Sequence, residues 1–238
     1  MKSKTETRRR DLLLAMAGLL PLGCATREGA RGVSEARLDP SQARVRPAAS
    51  GQRWTYRVTN LYNGQTVDEF AESVLVVGTQ FHVRRDAPGD LPHPDEVHEP
   101  WGMLRSDPHW SPPIAFAQPL PAWPPQLAAG RVEQYGTYYH TLASPDFPLW
   151  WSQQMRSVGW EEMTVPAGTF IVLRFDNQIS FESSEFWRND STREESVWLC
   201  PQIGRWVQRR SHGRYFLPGP SGGEMFEDYR QEQLLAWQ

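Results

Sequence analysis

Apolar residues recur at every second position through much of the chain beyond residue 50. Over residues 53–59, Trp54, Tyr56 and Val58 alternate with Thr55, Arg57 and Thr59, which is the period of a half-buried strand. Asn63-Gly64 supplies a hairpin signal, residues 74–77 ended by Gly78 supply the returning strand, and residues 81–85 extend the meander. Strand patterning resumes at Arg131 and runs through residues 135–141, 150–165, 170–181, 194–200 and 205–216. Val165-Pro166-Ala167-Gly168 suits a type I turn, with Pro second and Gly fourth, and Pro201-Gln202-Ile203-Gly204 makes another tight turn. Residues 225–237 read as a last strand by context. The predicted fold class is all-β and mainly antiparallel, a curved open sheet or half-barrel formed by one domain over residues 51–238.

Residues 88–125 interrupt this regularity. They hold 11 of the 20 prolines together with Trp101, Trp110 and Trp123. Proline lacks the ladder donor and fixes φ, so neither a central strand nor a long helix is expected here. The reading is a long Pro/Trp-rich loop packed over the sheet, ordered by its tryptophans.

The first fifty residues carry a different pattern. Lys2, Lys4, Arg8, Arg9 and Arg10 precede an apolar run over residues 12–22, too short to cross a bilayer core of about 30 Å as a helix. Residues 1–23 are expected to be a signal peptide. Arg9-Arg10-Asp11-Leu12-Leu13 resembles a twin-arginine export signal, and Leu20-Pro21-Leu22-Gly23-Cys24 resembles a lipobox with Pro21 where that motif usually has Leu. Acylation of Cys24 would hold the protein on a membrane without a transmembrane helix. Ala25 after the cysteine implies release to the outer membrane, and the fallback is cleavage after Ala25 to give a soluble periplasmic protein. Residues 24–50 have no aromatic residue and read as a flexible tether.

Composition narrows the chemistry. The only lysines are Lys2 and Lys4, so Schiff-base and P-loop lysine mechanisms are excluded. Loss of residues 1–23 would leave 20 arginines against 26 acids, a charge that speaks against nucleic acid as a partner. Cys24 and Cys200 are the only cysteines, and Cys200 at an apolar strand end reads as a buried, inert thiol.

Val158-Gly159-Trp160-Glu161, Val165-Pro166-Ala167-Gly168-Thr169-Phe170 and Trp198-Leu199-Cys200-Pro201-Gln202-Ile203-Gly204 together resemble an uncharacterised family of bacterial envelope lipoproteins. In that family a VPAGTF hairpin precedes a W-x-x-P-x-x-G hairpin. The resemblance covers residues 150–216 well and 51–77 loosely. It implies a β-rich architecture similar to the open, curved sheets of LolA/LolB carriers and brings no catalytic residues with it.

The remaining constellations are weak as chemistry. Gly219-Pro220-Ser221-Gly222-Gly223 has the letters of a nucleophile elbow, yet no His follows Ser221. His93, Asp95, Glu96, His98 and Glu99 lie close in sequence, but at no zinc-binding spacing, and read as a solvated polar loop. No catalytic residue, metal site or cofactor is expected. Trp123, Trp150 and Trp151 border the proline-rich stretch and are expected to line a ligand surface. Two function classes follow. One is a non-catalytic, periplasm-facing lipoprotein that binds an apolar ligand such as a lipid or lipopeptide chain. The other is an envelope interaction or assembly module that binds a glycan or partner protein through exposed aromatics.

Overall fold

The computed structural model describes the backbone of residues 33–35 and all atoms of residues 44–86, 93–220 and 222–238. The expected signal peptide, with Arg9 and Arg10, and the lipidation candidate Cys24 lie outside the described residues.

The chain forms β1 (Val33–Glu35), β2 (Arg53–Asn60), β3 (Thr66–Val77), β4 (Gln80–Asp86), β5 (Glu96–His98), β6 (Met103–Asp107) and β7 (Ile114–Pro121). It continues through β8 (Val132–Thr141), β9 (Ser144–Val165), β10 (Gly168–Phe181), β11 (Asn189–Cys200), β12 (Arg205–Phe216), β13 (Glu224–Phe226) and β14 (Arg230–Trp237). Every pairing is antiparallel. The order β9-β10-β11-β12-β14-β2-β3-β4-β5-β6-β7-β8 returns to β9, because Val132 to Thr141 of β8 pair with Arg156 to Ser144 of β9. The sheet is therefore a closed barrel of twelve strands, not the open sheet or half-barrel expected. Closure needs two joins: the C-terminal β14 inserts between β12 and β2, and the 22-residue β9 serves both β8 and β10. Closing the ladder removes the free edges an open sheet would present to water.

The Pro/Trp-rich stretch is the second correction. It supplies β5, β6 and β7 to the barrel wall, with loops between them. Its prolines are accommodated where the ladder is broken. Between the pairs Ser106–Ala115 and Leu104–Leu120, β7 advances further than β6, and Pro119 sits in the resulting bulge. Arg105 satisfies two carbonyls freed there, with Nη1 donating to Phe116 O at 3.1 Å and Ala117 O at 2.9 Å.

The alternation in β2 lies as expected, with Trp54, Tyr56 and Val58 buried. The strand's other face carries Arg53, Thr55, Arg57 and Thr59, the reverse of the apolar outer band of a transmembrane barrel. Val165 lies opposite Gly168 across the expected turn, and Gly204 closes the next at φ 70°. Asn63-Gly64 sits in the longer connection between Asn60 and Thr66. Two stretches of the expected tether meet the barrel. Val33–Glu35 pairs with Met163 to Glu161, and Arg46 N donates to Pro201 O at 2.8 Å.

Both turns just described lie at one end, here the basal end. The β8–β9 turn and the β10–β11 connection lie at the other, open end. Inside, Trp54, Tyr56, Phe70, Phe175 and Leu234 centre one apolar cluster, and Trp110, Phe116, Tyr139, Trp151 and Phe181 a second.

Candidate functional site

A charged network lies in the barrel interior. Alternation on β3 places Glu72 inward between Phe70 and Val74, and alternation on β5 places Glu96 and His98 inward. From β12, a register shift near Trp206 brings Arg205, Trp206 and Arg209 into the same space, with the Arg205 guanidinium 3.7 Å from the Trp206 ring centre. Arg205 Nε donates to Glu72 Oε2 at 2.7 Å, and its Nη1 and Nη2 donate to the two oxygens of Glu96 at 2.8 and 3.0 Å. His109 lies 2.8 Å from Asp107 Oδ1 through Nδ1 and 2.9 Å from Glu72 Oε1 through Nε2. Arg209 donates to Glu195 at 2.7 Å, and Arg193 Nε lies 3.0 Å from the same oxygen.

Glu96 and His98 are thus core residues, not parts of a solvated loop. Their ring and carboxylate approach to 2.5 Å. Four buried carboxylates, Glu72, Glu96, Asp107 and Glu195, face four cationic side chains, Arg205, Arg209, Arg193 and His109, so each buried charge has an opposite one beside it.

The electrostatics lock these groups. Burial alone would raise the carboxyls of Glu72 and Glu96, but the Arg205 guanidinium outweighs it, with His109 and His98 adding to the effect. Glu72 is held below its ordinary range and Glu96 well below it. Asp107 is lowered by His109, and Glu195 by Arg209 and Arg193, each against the cost of burial. Burial would lower His109, yet hydrogen bonds to Asp107 and Glu72 push it up to about 10. With a carboxylate at each ring nitrogen, His109 holds both protons and offers no lone pair. A general acid or base must be poised near working pH, and these groups are all driven away from it.

Glu72, Glu96 and His109 bring ligand-type atoms within 4.8 Å of one another. Arg205 already bonds both carboxylates and His109 is protonated, so the set is filled by the protein's own cations and does not fit a metal. Beside it is a cavity of about 60 Å³, bordered by Glu96, Asp107, Asn177, Glu195 and Arg209 as well as by aromatic rings. At this size it holds at most a few waters and is too small for an acyl chain.

The larger cavity, about 420 Å³, opens at the other side of Trp110, at the barrel's open end. Ends of β8, β10, β12, β13 and β14 form its walls, through Tyr139, Phe181, Tyr215, Phe226 and Glu232. His109 and Arg193 reach its floor. Around this end stand exposed aromatics, Phe186 at 89%, Phe147 at 72%, and Trp150 and Trp187 at 44% each.

The expected ligand-facing tryptophans are not brought together. Trp123 packs in the first cluster against Trp101 and His98, Trp151 lies in the second among Trp110, Phe116 and Tyr139, and Trp150 points outward. Adjacent strand residues face opposite ways, which separates Trp150 from Trp151. Cys200 is fully buried and its thiol pKa is raised by burial, as an inert thiol requires.

No protein-family model matches the chain, and no curated protein does. Solved structures do match. A protein described as a lipoprotein, from Parabacteroides distasonis, aligns over 81% of this chain and 97% of its own, with a TM-score of 0.51 and 11% identity. A protein from Bacteroides fragilis, described as exported and of YmcC-like fold, aligns over 82% of this chain and 99% of its own, with a TM-score of 0.52 and 10% identity. At such identities the likeness is one of fold. No LolA or LolB structure is among these matches, and the closed barrel departs from the open sheet of those carriers.

Proposed function

We propose that this chain is an exported, non-catalytic protein of the bacterial envelope whose filled barrel is a rigid scaffold and whose open end engages a glycan or partner protein. The observation that carries this reading is the contrast between interior and open end. The interior is closed by strand pairing and filled with rings and paired charges, whereas the open end has a 420 Å³ basin with exposed Phe226 in its lining, and Phe147, Trp150, Phe186 and Trp187 stand exposed at the same end.

An apolar ligand such as a lipid or lipopeptide chain asks for a continuous dry groove. The interior cavity, at about 60 Å³, is too small to take such a chain and weighs against it. Export and envelope location are supported by the leader-like residues 1–23 and by fold neighbours described as a lipoprotein and as exported. Acylated Cys24 is the proposed anchor, Arg9-Arg10 the proposed twin-arginine signal, and the outer membrane the proposed destination.

Native mass spectrometry of the protein isolated from its own envelope tests this. The expected spectrum shows a chain beginning at an acylated Cys24 with no fatty ligand retained. A stoichiometric lipid that survives desalting would return the apolar-ligand reading. An unmodified chain still carrying residues 1–23 would overturn the exported reading.

A further inference from the structure

The backbone that precedes the barrel joins it at the basal end. β1 runs antiparallel to β9, with Val33 opposite Met163 and Glu35 opposite Glu161. β9 descends from the open end to the basal turn at Val165, two residues past Met163, so Val33 is the basal terminus of β1 and the chain enters β1 from the basal side. A second contact lies at the same end. Arg46 N donates to Pro201 O at 2.8 Å, and Val45 and Ala48 pack against the first apolar cluster. Gly204, at φ 70°, makes room for this backbone, because a Cβ there would lie 2.7 Å from Arg46 O.

Chain length then limits where an anchor can sit. Residues 24–32 precede β1, and nine residues span at most about 32 Å even when fully extended. Phe147, exposed at the open end, is sixteen residues from Met163 along β9. That is about 53 Å of strand, and roughly 40 Å of height at the usual tilt of a barrel strand. Cys24 therefore cannot come level with the open-end aromatics while β1 is paired. With β1 released, the free chain would be residues 24–45, whose extended reach of about 75 Å would pass them. Charge acts in the same sense. Residues 24–50 carry five arginines against three acids, whereas residues 51–238 carry 15 against 23. An anionic lipid surface attracts the first segment and repels the second.

We infer, on the proposed acylation of Cys24, that β1 is an orienting clip. Its pairing with β9 turns the basal end of the barrel toward the membrane that holds the lipid and presents the open end away from it. The nine-residue link leaves room for the basal end to stand clear of the lipid. A ligand or partner of the open end must then come from outside the anchoring bilayer.

Fluorescence energy transfer on vesicles tests this. The mature chain, residues 24–238, is coupled through the Cys24 thiol to a maleimide-bearing phospholipid in phosphatidylcholine vesicles that also contain an acceptor-labelled lipid. Cys200 is fully buried and does not compete for the coupling. A donor dye is placed, through an azide-bearing residue, at Val77 of the basal end or at Phe147 of the open end, both exposed. Transfer from Val77 should exceed that from Phe147 at least threefold. The double variant Val33→Pro, Ser34→Pro removes a ladder donor whichever of the two faces β9. It should bring the ratio to near one while leaving the melting temperature near that of the parent.

Equal transfer from the two positions in the parent chain, or greater transfer from Phe147, overturns the orientation. A threefold ratio that survives the proline variant overturns the role of β1. Because the lipid is attached chemically, neither result depends on whether the cell acylates Cys24. An unmodified Cys24 in the mass spectrum removes the anchor from the proposed function, whereas equal transfer removes only the clip.

Discussion

Arg205 and Glu96 join opposite parts of the barrel interior, β12 to β5, through a two-pronged contact in which both guanidinium Nη atoms donate to both carboxylate oxygens. The pair is 109 residues apart in sequence and almost wholly buried. It couples the strands of the proline-rich stretch to the sheet on the far side. Because Arg205 also bonds Glu72, its removal strands two buried carboxylates.

Arg205→Ala should therefore cost about 3–5 kcal/mol of stability, the range for breaking a buried ion pair from one side. Arg205→Lys should fall between parent and Ala, since an ammonium lacks the planar fork. Urea denaturation measures both. A loss below about 1 kcal/mol for Arg205→Ala would show that the interior does not depend on this cation.

The network also predicts how stability depends on pH. Glu72, Glu96, Asp107 and Glu195 have folded-state pKa values below their ordinary values of 4.5 and 3.8. Their contribution is present above those ordinary values and is lost as pH falls through the lower folded ones. His109 runs the other way. Raised from 6.5 to about 10, it contributes fully below 6.5, and that contribution is lost as pH rises toward 10. Stability should be greatest near pH 5–6.5 and decline on both sides, with an alkaline slope of up to about 1.4 kcal/mol per pH unit from His109. Urea midpoints at pH 6, 8 and 9.5 check the alkaline limb. A flat profile would mean that His109 is not a doubly bonded imidazolium.

Gly102 identifies Trp123 as a packing residue. It has φ 92°, and a Cβ built there would lie 2.8 Å from Trp123 Cζ2. Gly102→Ala should cost about 2–4 kcal/mol through backbone strain and overpacking. Gly136→Ala, with nothing within 4 Å and no left-handed backbone, should be close to neutral. Thermal unfolding compares the two, and an unaffected Gly102→Ala would place Trp123 away from that wall.

The sequence made β2 legible because its inward positions are Trp54, Tyr56 and Val58, an unmistakable period of two. It hid β5 because the inward positions there are Glu96 and His98, so the same period is written in charges and looks like a polar loop. Glu72 carried a readable signal: it stands in step with Phe70 and Val74 on one face of its strand, and a charge on an inward face needs an opposite charge facing it. Barrel closure was not readable, because the β14–β2 join pairs strands from opposite ends of the domain and depends on twist and long-range register. The basin was hidden for the same reason, since its walls come from strand ends far apart in sequence and half of its members are ordinary Ser, Glu and Arg.

Site-specific photocrosslinking in the producing cells reads out whether ligand or partner meets the protein at the open end of its filled barrel. A photoreactive residue replaces Phe186 or Phe226 at the open end, Val77 beyond the basal turns, or Thr55 on the wall. Adducts are expected from Phe186 and Phe226 and none from Val77 or Thr55. Adducts concentrated at Val77 or Thr55, or lipid adducts from a probe placed at Trp151 in the interior, would contradict that expectation.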